Sequence, residues 1–297
     1  MNKPYAEVIG DPIAHSKSPL IHNFWLGKLG IAAEYRACHV RPVELADFFA
    51  RRREDLAWLG CNVTVPHKET VMALADSIDT SAAAVGALNT LVRVGQKIVG
   101  HNTDTIGILE ALASVPELPL PKHYVATLVD VIGAGGAARA VGAALHHGDI
   151  TFYNRDKSKA ERLADEFSAG AFYGYAGGLD DLPKERFRFD PRYPAVKENR
   201  GENQRYSYII INSSTMGMAG MPEVPINLNF YPEDTIVFDM VYAPLETGLL
   251  RAARERGMRT ADGLSMLVGQ AAAAFHHFFG QPAPREHDAE LRALLTS

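Results

Sequence analysis

Through the first hundred residues, short apolar runs of β character alternate with stretches of helical period. Residues 6–9 read as a strand. Residues 19–29 follow as a helix, with Ser18 as its N-cap and Pro19 at the first helical position, where the missing N–H is no loss. Residues 34–40 read as a second strand, 42–53 as a second helix, and 60–65 as a third strand ending at Pro66. Such alternation predicts a parallel or mixed sheet with helices packed against it.

A second system begins near the proline-marked residues 116–121. A β run at 124–132 leads into a glycine turn at 133–136, a helix at 137–146, a strand at 150–153 and a helix at 157–167. This βαβ order is the opening half of a Rossmann-type domain, and further strands are predicted at 208–212 and 235–238. Residues 183–205 are rich in charge and proline and poor in aliphatics, the pattern of a long surface loop. Residues 266–279 carry a strong helical pattern, and that helix could return to the first domain. The expected fold class is α/β, an N-terminal α/β substrate domain with a mixed sheet plus a Rossmann-type dinucleotide-binding domain. Residues 1–104, completed by 264–297, would form the first, and residues 105–263 the second.

A length of 297 residues with 47% hydrophobic and 22% charged positions suits two such domains. The net charge of -5 argues against nucleic acid as a partner and leaves room for a small anionic ligand beside a local cation. Cys38 and Cys61 are too few for a disulfide framework and have no metal-ligand spacing, so two reduced thiols are expected. No apolar run has the length of a signal peptide or a membrane span, which predicts a cytoplasmic protein.

The turn after the 124–132 strand reads Gly133-Ala134-Gly135-Gly136-Ala137-Ala138 and fits the dinucleotide fingerprint G-x-G-x-x-A. Gly133 permits the tight turn, Gly135 lets backbone approach a pyrophosphate, and Ala138 allows close contact between helix and strand. The helix that follows offers free N–H groups and the positive end of its dipole to phosphates. After the next strand comes Asn154-Arg155-Asp156-Lys157-Ser158-Lys159. Arg155, Lys157 and Lys159 supply the charge that a ribose 2′-phosphate would pair with, and Asp156 opposes it. The charge count favours NADP and leaves NAD as the alternative. Asp156 could also cap the helix that starts there.

In the first domain, four stretches are dense in small hydrogen-bonding side chains: His15-Ser16-Lys17-Ser18, Asn62-Val63-Thr64 with His67-Lys68, Asn89-Thr90, and Asn102-Thr103-Asp104. Each comes at or just after a β run, where an open α/β sheet places its ligand crevice. Strand alternation puts Asn62 and Thr64 on one face. Hydroxyls and amides suit a polyol, and a lysine among them can pair with a carboxylate or move a proton. Each stretch also has a plain structural reading. Ser18 could simply cap a helix, Asn102 could hold a turn, and Lys68 could sit on the surface.

In these motifs the chain resembles the shikimate dehydrogenase family, over nearly its whole length. The matching stretches are GDPIAHSKSPLIHN (10–23), NVTVPHK (62–68), GALNT (86–90), NTD (102–104), the 133–138 turn, Asn154-Arg155, INSSTMGM (211–218), FDMVYAPLETGLL (238–250) and DGLSMLVGQAA (262–272). The resemblance implies reversible reduction of 3-dehydroshikimate to shikimate by NADPH, a step towards aromatic amino acids, by a monomer or homodimer. It implies that Ser16 and Ser18 hold the substrate carboxylate. Asn62, Thr64, Asn89 and Gln270 would contact ring hydroxyls, with Tyr242 close by, and Lys68 and Asp104 would be the catalytic pair. Gly133, Ala134, Gly135, Gly136 and Ala137 would bind the dinucleotide with Asn154, Arg155, Asp156, Lys157 and Lys159, and Met240 and Gly263 would lie on its nicotinamide side. No metal is called for, and His67 is expected to be a neighbour of the site only.

The sequence departs from the family pattern at Asp156, where a small hydroxyl residue is usual, and at Thr105, where glycine is common. Residues 183–205 form a longer connection than usual. The alternatives are a quinate/shikimate dehydrogenase using NAD and a non-catalytic sensor of the same fold. The presence of both Lys68 and Asp104 speaks against the sensor.

Overall fold

The computed structural model describes residues 3–116, 124–168, 174–182 and 205–297. The chain divides into two units, Met1–Ile108 with Leu267–Ser297, and Leu109–Met266.

The first unit is built on strands β1 (Tyr5–Gly10), β2 (Glu34–His39), β3 (Trp58–Val63), β4 (Ser77–Ile78), β5 (Thr90–Val94) and β6 (Lys97–His101), in the order β2-β1-β3-β5-β6-β4. The sheet is mixed. β1 runs parallel to β2 and β3, while β5 is antiparallel to both β3 and β6. Helices α1 (Ser18–Leu29), α2 (Leu45–Glu54), α3 (Thr80–Val85) and the start of α4 (Asp104–Ala113) complete this stretch. All six residues of β1 are buried. That includes Glu7, whose carboxylate is held by Arg52 at 2.6 and 3.2 Å. A charge in that position is tolerated only because it is paired.

Three local details differ from the sequence expectations. Ser18 is the first helical residue of α1 and Lys17 takes the N-cap position; the oxygen that accepts the Ser18 N–H is Ser16 Oγ, at 3.3 Å. β3 stops at Val63, because the Thr64 carbonyl accepts the His67 N–H in the turn through Pro66. Residues 42–53 open with a 3-10 turn, Pro42–Glu44, before α2. The β5–β6 hairpin was not foreseen. Its tight turn uses Gly95 at φ +64°.

The second unit contains β7 (Tyr124–Ile132), α5 (Gly136–Ala144), β8 (Asp149–Tyr153), α6 (Lys157–Phe167), β9 (Gly174–Gly177), β10 (Arg205–Asn212), β11 (Ile236–Asp239), α7 (Gly248–Glu255) and β12 (Arg259–Asp262). Its strands are all parallel, in the order β12-β11-β10-β7-β8-β9. Counted from β7 this is the 3-2-1-4-5-6 arrangement of the Rossmann fold, with its switch point between β7 and β10. The expected loop at 183–205 lies outside the described residues up to position 204, as does the segment between Pro116 and β7.

After β12 the chain enters α8 (Gly263–Phe279) and ends with α9 (Asp288–Thr296). Ala274 and Phe278 of α8 pack with Ala6, Val8 and Tyr35 in one core of the first unit. A separate core of that unit holds Phe48, Phe49, Trp58, Leu88 and Leu91. Among the described residues no helix is long and apolar enough to cross a membrane.

Candidate active site

In the first unit the polar residues gather where β5 begins and α4 starts. Lys68 Nζ donates to Asp104 Oδ2 at 2.5 Å, and the two side chains are 16% and 5% exposed. The other carboxylate oxygen, Oδ1, accepts from Asn89 Nδ2 at 2.9 Å. The same Asn89 amide lies 2.9 Å from Thr103 Oγ1 and 3.4 Å from Gln270 Oε1, while its Oδ1 accepts the Thr103 N–H at 2.8 Å. Asn89, next to the first residue of β5, thus locks the loop before α4 and the carboxylate that opens that helix. Asn102 holds the same loop, accepting the Asp104 N–H and donating to the Ala87 carbonyl.

Lys68 is held by its backbone. Its carbonyl accepts the Leu88 N–H at 2.7 Å, just ahead of Asn89. His67 is buried and its ring bonds the Val40 carbonyl at 2.7 Å, so it anchors the turn that delivers Lys68. Thr64 precedes that turn, and its hydroxyl forms no hydrogen bond among the described residues; the same is true of the Ser18 hydroxyl.

Asn62 is different. It is buried, and every polar atom of its amide is engaged: Oδ1 accepts from Tyr35 Oη at 2.6 Å, and Nδ2 donates to the Asn89 carbonyl and to Thr90 Oγ1. Burial pushes the Tyr35 hydroxyl well above its ordinary pKa, which keeps it a donor. Tyr35, Thr90 and Thr103 therefore support the site. Thr90 and Thr103 lie inside the polar stretches seen in the sequence; Tyr35 had no local signal.

The second unit presents its own set. Gly133 has φ +120°, and a Cβ there would meet Ser213 Oγ at 2.6 Å, so strands β7 and β10 meet at a point only glycine fits. Gly135 stands at the N-cap of α5 with no side-chain cap, and a Cβ there would have nothing within 4 Å. Open space before an uncapped helix start suits a pyrophosphate, because free N–H groups and the helix dipole point into it. Ala134, Gly136 and Ala137 are partly exposed around it, and Ala138 is buried against the sheet.

At the end of β8, Asn154 Nδ2 donates to the Asp156 carbonyl at 3.0 Å. Asp156 caps α6, accepting from the Ser158 N–H at 3.1 Å and the Ser158 hydroxyl at 2.7 Å. The Ser158 hydroxyl bond is the main reason its carboxyl sits below the ordinary pKa. Arg155 and Lys159 are exposed, with no ion pair among the described residues, while Lys157 lies 3.4 Å from Asp181. This arrangement fits the 2′-phosphate of NADP.

At the end of β11, Asp239 is buried and accepts from Thr247 Oγ1 at 2.6 Å, Asn212 Nδ2 at 2.9 Å and the Val241 N–H at 3.0 Å. Burial raises its pKa against the pull of these bonds. The trio fixes the chain through Met240 and Tyr242, and sequence reasoning passed over it although it falls within the 211–218 and 238–250 motifs. Tyr242 is partly exposed, and burial raises its hydroxyl pKa. A Cβ on Gly263 would fall 2.2 Å from the Met240 carbonyl, so that glycine is demanded by close backbone approach.

Two family models match the chain: the shikimate dehydrogenase substrate binding domain over residues 8–91 and the shikimate 5'-dehydrogenase C-terminal domain over residues 263–290. A shikimate dehydrogenase (NADP(+)) of Sphingopyxis alaskensis is 46% identical over 298 residues, covering 99% of this chain and 97% of the relative. Among solved structures, a shikimate dehydrogenase in complex with NADP+ matches with a TM-score of 0.80 at 31% identity, over 99% of this chain and 96% of its own. The Thermus thermophilus enzyme in complex with NADP(H) and shikimate matches with a TM-score of 0.77 at 29% identity, over 98% and 99%.

Proposed function

The chain belongs to the shikimate dehydrogenase family, and we propose that it is an enzyme that reversibly reduces 3-dehydroshikimate to shikimate with NADPH. The observation that carries this reading is the Lys68–Asp104 pair, held at 2.5 Å and braced by Asn89. The first unit binds the substrate and performs the proton chemistry, and the second binds the dinucleotide through the Gly133–Ala137 turn and residues 154–159. On this reading the protein works in the cytoplasm on a small molecule, with no nucleic-acid partner.

When bound, the dinucleotide supplies the hydride that the ring carbonyl carbon accepts. As that carbon is reduced its oxygen gains negative charge, which the Lys68 ammonium stabilises before giving it a proton. Asp104 orients the ammonium, and Asn89 keeps the carboxylate from turning away. Oxidation of the ring alcohol releases a proton overall, so that direction is favoured by alkaline pH. Ser16 and Ser18 bind the substrate carboxylate, and Thr64, Asn89 and Gln270 read ring hydroxyls. Asn62 also supports Asn89, through the bond from its Nδ2 to the Asn89 carbonyl, and its Oδ1 keeps a second lone pair for a ring hydroxyl. NADP is preferred because Asp156 spends its carboxylate on capping α6 while Arg155 stays available.

Steady-state kinetics with shikimate and quinate against NADP and NAD test the proposal. The highest kcat/KM is expected for shikimate with NADP. A preference for quinate with NAD would overturn the assignment, and no turnover of either acid would return the chain to the sensor class.

A further inference from the structure

We propose that Lys17 is a positioning residue, through which the C-terminal helix α9 holds the Ser16–Ser18 loop in its binding shape. Lys17 sits between the two serines at the N-cap of α1, with φ −83° and ψ −6°. Its side chain makes no cap; its ammonium instead donates to the Leu295 carbonyl, in the last turn of α9. The final carbonyls of a helix lack intrahelical partners and carry its negative dipole end, so a cation is matched to that position.

Helix α9 is itself well anchored on the first unit. Leu291 and Leu295 are buried, Lys28 pairs with Glu290 at 2.7 Å, and His287 stands edge-on to Phe24 at 6.4 Å. Both Phe24 and Lys28 belong to α1, so the end of the chain braces the helix whose first turn carries Ser18. With the Lys17 charge committed to Leu295, the loop is left to offer hydroxyls, and its geometry depends on a contact made nearly 280 residues later.

The inference rests on the reading that Ser16 and Ser18 bind the substrate carboxylate, and the test separates the two. Four variants are compared by KM and kcat for shikimate: Lys17→Met, Lys17→Arg, a chain ending at Leu294, and that truncation combined with Lys17→Met. Ser16→Ala and Ser18→Ala serve as the control arm. Losing a loop-holding hydrogen bond should raise KM about five- to tenfold in Lys17→Met, with kcat within about twofold. Lys17→Arg should restore most of the loss, because guanidinium also reaches a carbonyl. The combined variant should be no worse than the truncation alone, since without Leu295 the Lys17 ammonium has already lost its acceptor. An unchanged KM in Lys17→Met while the serine variants raise it overturns the latch. Multiplying effects in the combined variant overturn it too, by showing that Lys17 acts on the substrate itself. Serine variants with unchanged KM overturn the carboxylate reading beneath it. If the truncated chain does not fold, Lys17→Met against Lys17→Arg decides alone.

Discussion

His22 offers a test of the first unit's core that needs no substrate. It lies on α1, fully buried, stacked on Tyr35 at 4.0 Å and edge-on to Trp25 at 5.8 Å. Neither ring nitrogen has a hydrogen-bond partner among the described residues. Burial pushes its pKa from 6.5 down to about 3. The unfolded chain therefore takes up a proton as pH falls below 6.5, and the folded one does not until about 3. Stability from the neutral ring is fully present above 6.5 and is lost progressively across that window. At pH 5 the gap of 1.5 pH units below the unfolded value amounts to about 2 kcal/mol. His22→Leu removes the titration and a polar ring that bonds nothing, so at pH 8 it should stay within about 1.5 kcal/mol of the parent. The assay is urea denaturation at pH 8 and pH 5, followed by tryptophan fluorescence. The chain has two tryptophans, Trp25 and Trp58, and both belong to the first unit, so the signal reports the unit that holds His22. Other titrating groups cancel between the two proteins. The parent should lose about 2 kcal/mol more than His22→Leu between the two pH values. Equal losses would refute the reasoning, because the ring would then titrate normally or carry a bond.

Three further outcomes are expected. Arg155→Ala should raise the KM for NADP far more than that for NAD; equal effects would show that Arg155 does not read the 2′-phosphate. Gly263→Ala places a Cβ where the Met240 carbonyl lies, so it should destabilise the second unit by about 1–3 kcal/mol and weaken dinucleotide binding, read by thermal melting with and without NADP. A variant that melts and binds like the parent would contradict this. Asn62→Leu leaves the Tyr35 hydroxyl buried without its acceptor and should cost about 1–3 kcal/mol in urea titration. A parental midpoint would mean that the hydroxyl finds another partner.

The second unit was legible because its signals are local. β7 and α6 match the expected limits, and the glycine turn between β7 and α5 needs only adjacent residues to be recognised. The β5–β6 hairpin was missed, because its turn carries one glycine and its strands are short. Ser18 was misread as an N-cap since the competing acceptor, Ser16 Oγ, depends on the fold of the loop before α1. Lys68 and Asp104 were identifiable as types within polar stretches, yet their 2.5 Å contact joins positions 36 residues apart and is set by Asn89 and Leu88. Tyr35 was invisible for the same reason: an ordinary strand residue acquires its role only when β2, β1 and β3 bring it to Asn62.

The central claim is that the Lys68 ammonium gives the proton that completes ketone reduction. Lys68→Met leaves the Asn89 bond to Asp104 in place and removes only the donor. Measured with shikimate and NADP, and in reverse with 3-dehydroshikimate and NADPH, kcat should fall by about 10²-fold or more while KM stays within about tenfold. Turnover close to that of the parent protein would contradict the account and take Lys68 out of the mechanism.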